Sequence, residues 1–214
     1  MADIFREVDE DVRRDRAVDL WSRYGIYVIA AVVLVVTVAA GLAAWRHWEQ
    51  ESRRDAAAAY LAATAPSTSD RLGALAGIAD ARDGIYAEMA RLRAAGELAA
   101  ADPAQAIAAY DAISADAGVP ARLRALAAVR ALILAADVET PDQAIARAGM
   151  LIGDNAPFRA QAREVLATAE MKRGNDAAAR AVLEQIVGDL SAPLSLRERA
   201  ALMLDLVRAP EAGS

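Results

Sequence analysis

Few residues in this chain have the types and spacing that catalysis or metal binding requires. His47 is the only histidine among 214 residues, and the chain contains no cysteine. A zinc site needs several His, Cys or carboxylate ligands around one ion, so a single histidine without cysteine partners makes a metal site improbable. His47 stands between Arg46 and Trp48, beside an apolar stretch. This position favours a side chain at a membrane interface over a catalytic base.

The other cluster that could do acid–base chemistry is Asp9-Glu10-Asp11, which lies on a short charged segment where solvated carboxylates are expected. The chain has neither a glycine-rich phosphate-binding loop nor a nucleophile-elbow motif. We therefore predict no catalytic, cofactor-binding or metal-binding residues and a protein that is not an enzyme. Turnover that depends on His47 or on one acid would indicate the enzymatic alternative.

A long apolar stretch determines how the rest of the chain is interpreted. Gly25 to Trp45 carries no charge, and a helix of that length reaches about 32 Å, enough to cross a hydrocarbon core of about 30 Å. Aromatic residues favour the headgroup level and flank the stretch on both sides: Tyr24, Tyr27, Trp45 and Trp48. We predict a transmembrane helix over residues 24–45. A cleaved signal peptide is the alternative, but its apolar core is shorter.

The distribution of arginines predicts the orientation of this helix. Five precede it and three follow it within a similar distance: Arg6, Arg13, Arg14, Arg16 and Arg23, then Arg46, Arg53 and Arg54. The positive-inside rule then places residues 1–23 in the cytoplasm and residues 46–214 on the opposite side. Within the tail, apolar residues at helical spacing suit an amphipathic helix, although a frayed charged tail fits equally: Ile4, Phe5, Val8 and Val12.

The residues after the apolar stretch suffice for one domain with its own core. The chain is 56% apolar with a net charge of −6 and a pI near 4.9. This acidic balance argues against a nucleic-acid partner, because phosphate binding requires a positively charged surface. We expect a helix over residues 46–65, stopped by Pro66, and helical hairpins over residues 68–214. The first of these helices, Arg71 to Ala79, is predicted to direct four residues toward a core: Leu72, Leu75, Ala76 and Ile78.

Three later segments repeat with a period in the mid-thirties, and each follows a stretch with helical periodicity. They open with the good N-cap residues Asp102, Thr140 and Asn175. At equivalent positions the segments carry, in turn, Ala106, Tyr110 and Ile113, then Ala144, Ala148 and Leu151, then Ala179, Leu183 and Ile186. The pattern predicts helix–turn–helix units whose helices meet at these positions.

This pattern resembles the tetratricopeptide repeat, whose period is about 34 residues. The small Ala106, Ala144 and Ala179 are similar to the residue of that family at which the two helices approach closely. The resemblance implies an all-α chain, with one transmembrane helix followed by a solenoid of helical hairpins. It also implies that first helices line a concave face. Six arginines on these helices then form a possible groove for acidic segments, or else solvated faces: Arg91, Arg93, Arg122, Arg124, Arg159 and Arg163.

A second resemblance covers most of the chain. A tail containing DLWSRYG, a span ending in GLAAWRHW, the stretch IYAEMARLRAA and the repeats together resemble the ancillary SecYEG translocon subunit family (YfgM-like proteins). The resemblance implies a single-pass protein of the bacterial inner membrane with a periplasmic repeat domain. Its implied partners are translocon membrane subunits, periplasmic chaperones and exported polypeptides, which makes the protein a membrane-anchored scaffold. The alternative is an envelope regulatory or cell-division adaptor that acts through the cytoplasmic tail.

Overall fold

All regular secondary structure in the described part of the chain is α-helical, which confirms the predicted all-α class. The computed structural model describes residues 3–65, 67, 69–81 and 84–207, with side chains from residue 21 onward. The apolar stripe predicted at residues 4–12 therefore lies outside the described side chains. Along these residues the helices are α1 (Asp3–Thr64), α2 (Arg71–Ala81), α3 (Ile85–Leu98), α4 (Pro103–Ala115), α5 (Ala121–Val138), α6 (Pro141–Gly149), α7 (Arg159–Lys172), α8 (Asp176–Gly188) and α9 (Leu194–Leu206).

The chain divides into two compact units, and the first, Met1–Asp55, consists of α1 residues where it is described. Over Trp21–Thr64, α1 contains a window that is long and apolar enough to cross a membrane, and none of that window is buried within the protein. Thr37, the polar residue within it, donates its hydroxyl hydrogen to the Val33 carbonyl at 2.8 Å. The four predicted interface aromatics are exposed: Tyr24, Tyr27, Trp45 and Trp48. The helix is compatible with a single-pass anchor.

The second unit, Ala56–Ser214, is a stack of helical hairpins. Consecutive helices pack against each other from α2 to α9, so that α3–α4, α5–α6 and α7–α8 form hairpins. The first helices of neighbouring hairpins also lie side by side, since α5 contacts α7 and α7 contacts α9. Each helix therefore buries its apolar face against near neighbours in the sequence, as expected for a helical solenoid.

Small residues occupy the positions where helices cross. Ala106, Ala144 and Ala179 are 0%, 1% and 0% exposed. The absence of a longer side chain lets the facing helix approach closely. Larger residues then fill the space beside these contacts, and Tyr110, Ile113, Leu183 and Ile186 are all buried, as is Ala148.

The structure differs from the prediction at the end of one helix and at two positions of α2. The second helix of the middle hairpin ends at Gly149, so Leu151 lies in the following turn, where it is half-buried against the cluster of Leu132, Ala148 and Ala162. Glycine is a poor helix former and shortens this helix relative to α4 and α8. In α2, Leu75 and Ile78 enter the core as predicted. Leu72 and Ala76, by contrast, lie on the exposed face.

The predicted N-caps are confirmed. The side chains of Asp102, Thr140 and Asn175 each accept a hydrogen bond from a backbone N–H in the first turn of the helix that follows, and Thr140 forms a capping box with Gln143. The turn between α7 and α8 depends on Gly174, whose φ of 79° is unfavourable for other residues. Its N–H donates to the Met171 carbonyl, and that of Asn175 donates to the Glu170 carbonyl, which completes a Schellman motif.

Replacing the cap of α4 tests this local account. Asp102 Oδ1 accepts from the Gln105 N–H at 2.9 Å and is exposed, so Asp102→Ala removes a cap without leaving a cavity. We expect the free energy of unfolding to fall by about 1 kcal/mol in urea titrations of the purified protein. Asp102→Asn keeps an acceptor and should stay close to the native value. Equal losses for the two variants would contradict the capping role.

Candidate functional site

Helices α3, α4 and α5, together with Tyr60 of α1, line a groove of about 710 Å³, which we call the α3–α5 groove. This volume falls within the range of roughly 300–1,000 Å³ that is typical of ligand pockets. All of its lining residues belong to the second unit: Tyr60, Ile85, Met89, Leu92, Arg93, Gly96, Glu97, Tyr110, Leu123, Leu126 and Arg130.

The walls of the groove are apolar because two helices direct their large side chains into it. Ile85, Met89 and Leu92 follow one another at helical spacing along α3, and Leu123 and Leu126 do so on α5. Ile85 is 50% exposed, so an apolar residue reaches the solvent at this edge. The groove thus brings bulky aliphatic side chains of α3 and α5 together in one place.

A tyrosine hydroxyl forms the polar part of the wall. The ring of Tyr110 is buried, and its Oη lies against Gly96, where an added Cβ would come within 3.1 Å of that oxygen. Gly96 therefore leaves the space that the hydroxyl occupies. No described residue accepts or donates a hydrogen bond at Tyr110 Oη. Burial raises the pKa of Tyr110, while the charges of Arg130 and Arg93 act in the opposite direction, so the phenol stays protonated as a donor.

Positive charge exceeds negative charge at the rim. The Glu97 carboxylate forms ion pairs with the guanidinium groups of Arg93 and Arg71, at N–O distances of 2.9 Å and 3.3 Å. One negative charge is therefore shared by two positive charges. Arg130 is exposed on α5 and forms no ion pair with any residue that the structure describes. The groove thus combines an apolar interior with a hydroxyl donor and an uncompensated cation.

The six arginines predicted to share one groove have different surroundings. Arg93 is one of the residues that line the α3–α5 groove. Arg91 pairs with Glu88 and Asp116, whereas Arg159 and Arg163 pair with Asp189 at the C-terminal end of α8. Arg122 is exposed and Arg124 half-buried on α5, and neither lines the groove. The α3–α5 groove thus includes one of the six, and a groove shared by all of them stays a prediction.

Two other arginines link helices of different hairpins. Arg147 of α6 donates to Asp111 of α4 at 2.7 Å, and Arg199 of α9 donates to Glu164 of α7 at 2.8 Å. The hydrogen bond from the Ser191 hydroxyl, together with Arg159, lowers the pKa of Asp189 to about 2. The arginines that pair with these acids are engaged within the domain. Arg130, which has no such pair among the described residues, is therefore the better candidate for binding a partner.

Sequence reasoning missed the groove, although a signal for it exists. Large aliphatic residues recur at helical spacing in the sequences of both α3 and α5. Among the described residues, no group of three His, Asp or Glu side chains could hold a metal ion. His47 is exposed and lies 3.4 Å from Glu51 on the same helix.

The arrangement of stacked helical hairpins, with small residues at the crossings, defines a helical repeat protein of the class that presents surfaces to other proteins. The family model described as a tetratricopeptide repeat-like domain matches residues 19–199, and the chain belongs to this family. Domains of this family typically mediate protein–protein interaction and are not enzymes. Searches of the curated proteins and of the solved structures found no match.

Proposed function

We propose that this protein is a membrane-anchored interaction scaffold, an accessory subunit of the Sec translocon that links exported polypeptides to periplasmic chaperones. The observation that carries this proposal is the combination, in one chain, of an unburied apolar helix and a tetratricopeptide repeat-like domain. The resemblance to the YfgM-like translocon subunits supports the choice of the translocon as the site of action.

Anchoring gives such a scaffold a physical advantage. A domain held beside the exit of a channel meets emerging chains at a high effective concentration, so that weak contacts suffice for capture. A repeat surface that includes the α3–α5 groove suits this task, because brief binding allows the chain to be passed on. Residues 46–214 lie in the periplasm and residues 1–23 in the cytoplasm, in accord with the distribution of arginines around the span.

The proposal requires the repeat domain to lie outside the cytoplasm, and thiol labelling tests this. The chain has no cysteine, so single cysteines can be introduced without background. Leu190 is 85% exposed, and Leu190→Cys should react with a membrane-impermeant maleimide in cells whose outer membrane alone is permeabilised. Ala2→Cys should react only after the inner membrane is lysed. The reverse pattern would place the domain in the cytoplasm and refute a role with exported chains.

A further inference from the structure

We infer that the outward side of α9, which we call the α9 face, binds an amphipathic helix that carries basic residues. The α9 face consists of five exposed residues: Leu194, Glu198, Leu202, Asp205 and Leu206. The inference rests on the proposed scaffold function and names a surface, separate from the α3–α5 groove, through which the repeat domain holds a helical partner. Its basis is the juxtaposition of exposed leucines with two unpaired acids.

The two sides of α9 differ in what they contact. One side packs into the domain, where Leu196 and Ala200 are buried in the cluster that joins α7, α8 and α9. On the other side, Leu194, Leu202 and Leu206 lie four or eight residues apart along the helix and are 61%, 67% and 75% exposed. The terminal helix of a solenoid usually presents a polar outer face, so exposed leucines at this spacing indicate a contact surface.

The architecture of the domain favours a helix as the occupant of this surface. Helices α3, α5 and α7 each pack against the helix that follows them in the chain, whereas the described residues include no helix after α9. A partner helix on the α9 face would give α9 the second helix that α3, α5 and α7 each have. Its apolar side chains would pack beside Leu202 and Leu206, as ridges of side chains fit into the grooves of a neighbouring helix.

Two acids on the α9 face determine the charge of the partner. Glu198 and Asp205 are exposed and lie seven residues apart, which is two helical turns or about 10 Å along one side of α9. Neither forms an ion pair with any residue that the structure describes. Arg199 of the same helix pairs with Glu164 of α7 at 2.8 Å, so it is already engaged. Basic residues at the same spacing on a partner helix would compensate both acids.

The same acids disfavour a second copy of this chain as the occupant. Two copies that pair through one shared surface are related by a twofold axis, so each contributes the same residues to the contact. Glu198 and Asp205 of both copies would then lie near that axis, and the repulsion between four carboxylates would oppose the packing of the leucines. Charge complementarity therefore favours a basic helix from a different protein.

The test measures peptide affinity for the full-length protein in phosphatidylcholine nanodiscs, by fluorescence anisotropy. The probe is the peptide GQLAAKAQALAAKAQALG, acetylated and amidated, in which two lysines lie seven residues apart on the same side as the leucines. One comparator replaces both lysines by glutamine, and another replaces the three leucines by serine. Empty nanodiscs report partition into lipid. We expect the native protein to prefer the lysine peptide over the glutamine peptide by about threefold to tenfold, as for two exposed ion pairs.

A double variant with a matched control assigns this preference to the acids of the α9 face. Glu198→Gln combined with Asp205→Asn should abolish the discrimination between the lysine and glutamine peptides. The control combines Glu184→Gln with Asp176→Asn, which removes the same two charges from exposed positions of α8. It should retain the native preference.

A second pair of variants tests the leucines. Leu202→Gln should lower the affinity for both the lysine and the glutamine peptide by about fivefold, because the apolar surface that binding would bury is lost. The control is Leu61→Gln, since Leu61 of α1 is 68% exposed and lies outside the α9 face. It should bind both peptides as the native protein does.

The inference is wrong if no peptide binds, if the lysine and glutamine peptides bind equally, if the serine peptide binds fully, or if either variant behaves like its control. Sedimentation in detergent micelles tests the competing occupant: a dimer that Leu202→Gln dissociates would assign the α9 face to a second copy instead. Recovery of partners from native membranes is a separate readout. If partners are recovered but the peptides are not discriminated, the assignment of the α9 face fails while the scaffold proposal stands.

Discussion

Ala179→Glu is expected to lower the free energy of unfolding of the repeat domain by about 3–5 kcal/mol. Ala179 is 0% exposed and packs in the cluster that joins α7, α8 and α9. A glutamate there adds volume to a well-packed contact and also places an unpaired carboxylate in an apolar environment. Losses of this size are typical of uncompensated buried charges.

The matched control is Ala181→Glu, the same substitution two residues further along α8 at an exposed position. It should change stability by about 0.5 kcal/mol or less. Arg180, which its sequence position suggests as an exposed control, is unsuitable: it is half-buried and donates a hydrogen bond to the Val207 carbonyl. Urea titration of the full chain in detergent micelles measures both variants. Equal losses would show that Ala179 does not lie at a helix crossing.

The sequence predicted best those features that local chemistry determines. The helix starts at Pro103, Pro141 and Asp176 each follow a residue whose side chain caps the helix, so short-range hydrogen bonding sufficed to place them. The small residues at helix crossings recur at a fixed period, which is itself a sequence signal. The apolar span can be recognised from its own residues, because its length and composition alone identify it and no contact with the rest of the chain is needed.

The ion pairs and the groove depend instead on residues brought together from distant parts of the chain. Arg159 at the start of α7 pairs with Asp189 at the end of α8, and Arg147 of α6 pairs with Asp111 of α4. Arg163 pairs with Asp189, 26 residues further along the chain, whereas no described residue forms an ion pair with Arg130. The sequence around each arginine does not reveal this difference, because the partner comes from another helix. The groove likewise arises where α3 and α5 face each other around Tyr110, and neither helix reveals it alone.

Recovery of partners from membranes tests the central claim, that the anchor and the repeat domain have separate binding roles. The intact chain is compared, in gentle-detergent pull-downs, with a variant that lacks residues 66–214 and a variant in which an unrelated span replaces residues 25–45. The deletion keeps α1 and removes the hairpins that follow it. A third variant lacks residues 1–20 and tests the alternative of a regulatory adaptor that acts through the tail.

We predict that the deletion of residues 66–214 abolishes recovery of periplasmic chaperones, because the domain family binds proteins and the groove is lost. The replaced span should lower recovery of translocon subunits and leave chaperone recovery unchanged. Removal of residues 1–20 should change neither. If both the deletion and the span replacement leave recovery unchanged, whereas loss of residues 1–20 abolishes it, the scaffold account is contradicted and the regulatory adaptor takes its place.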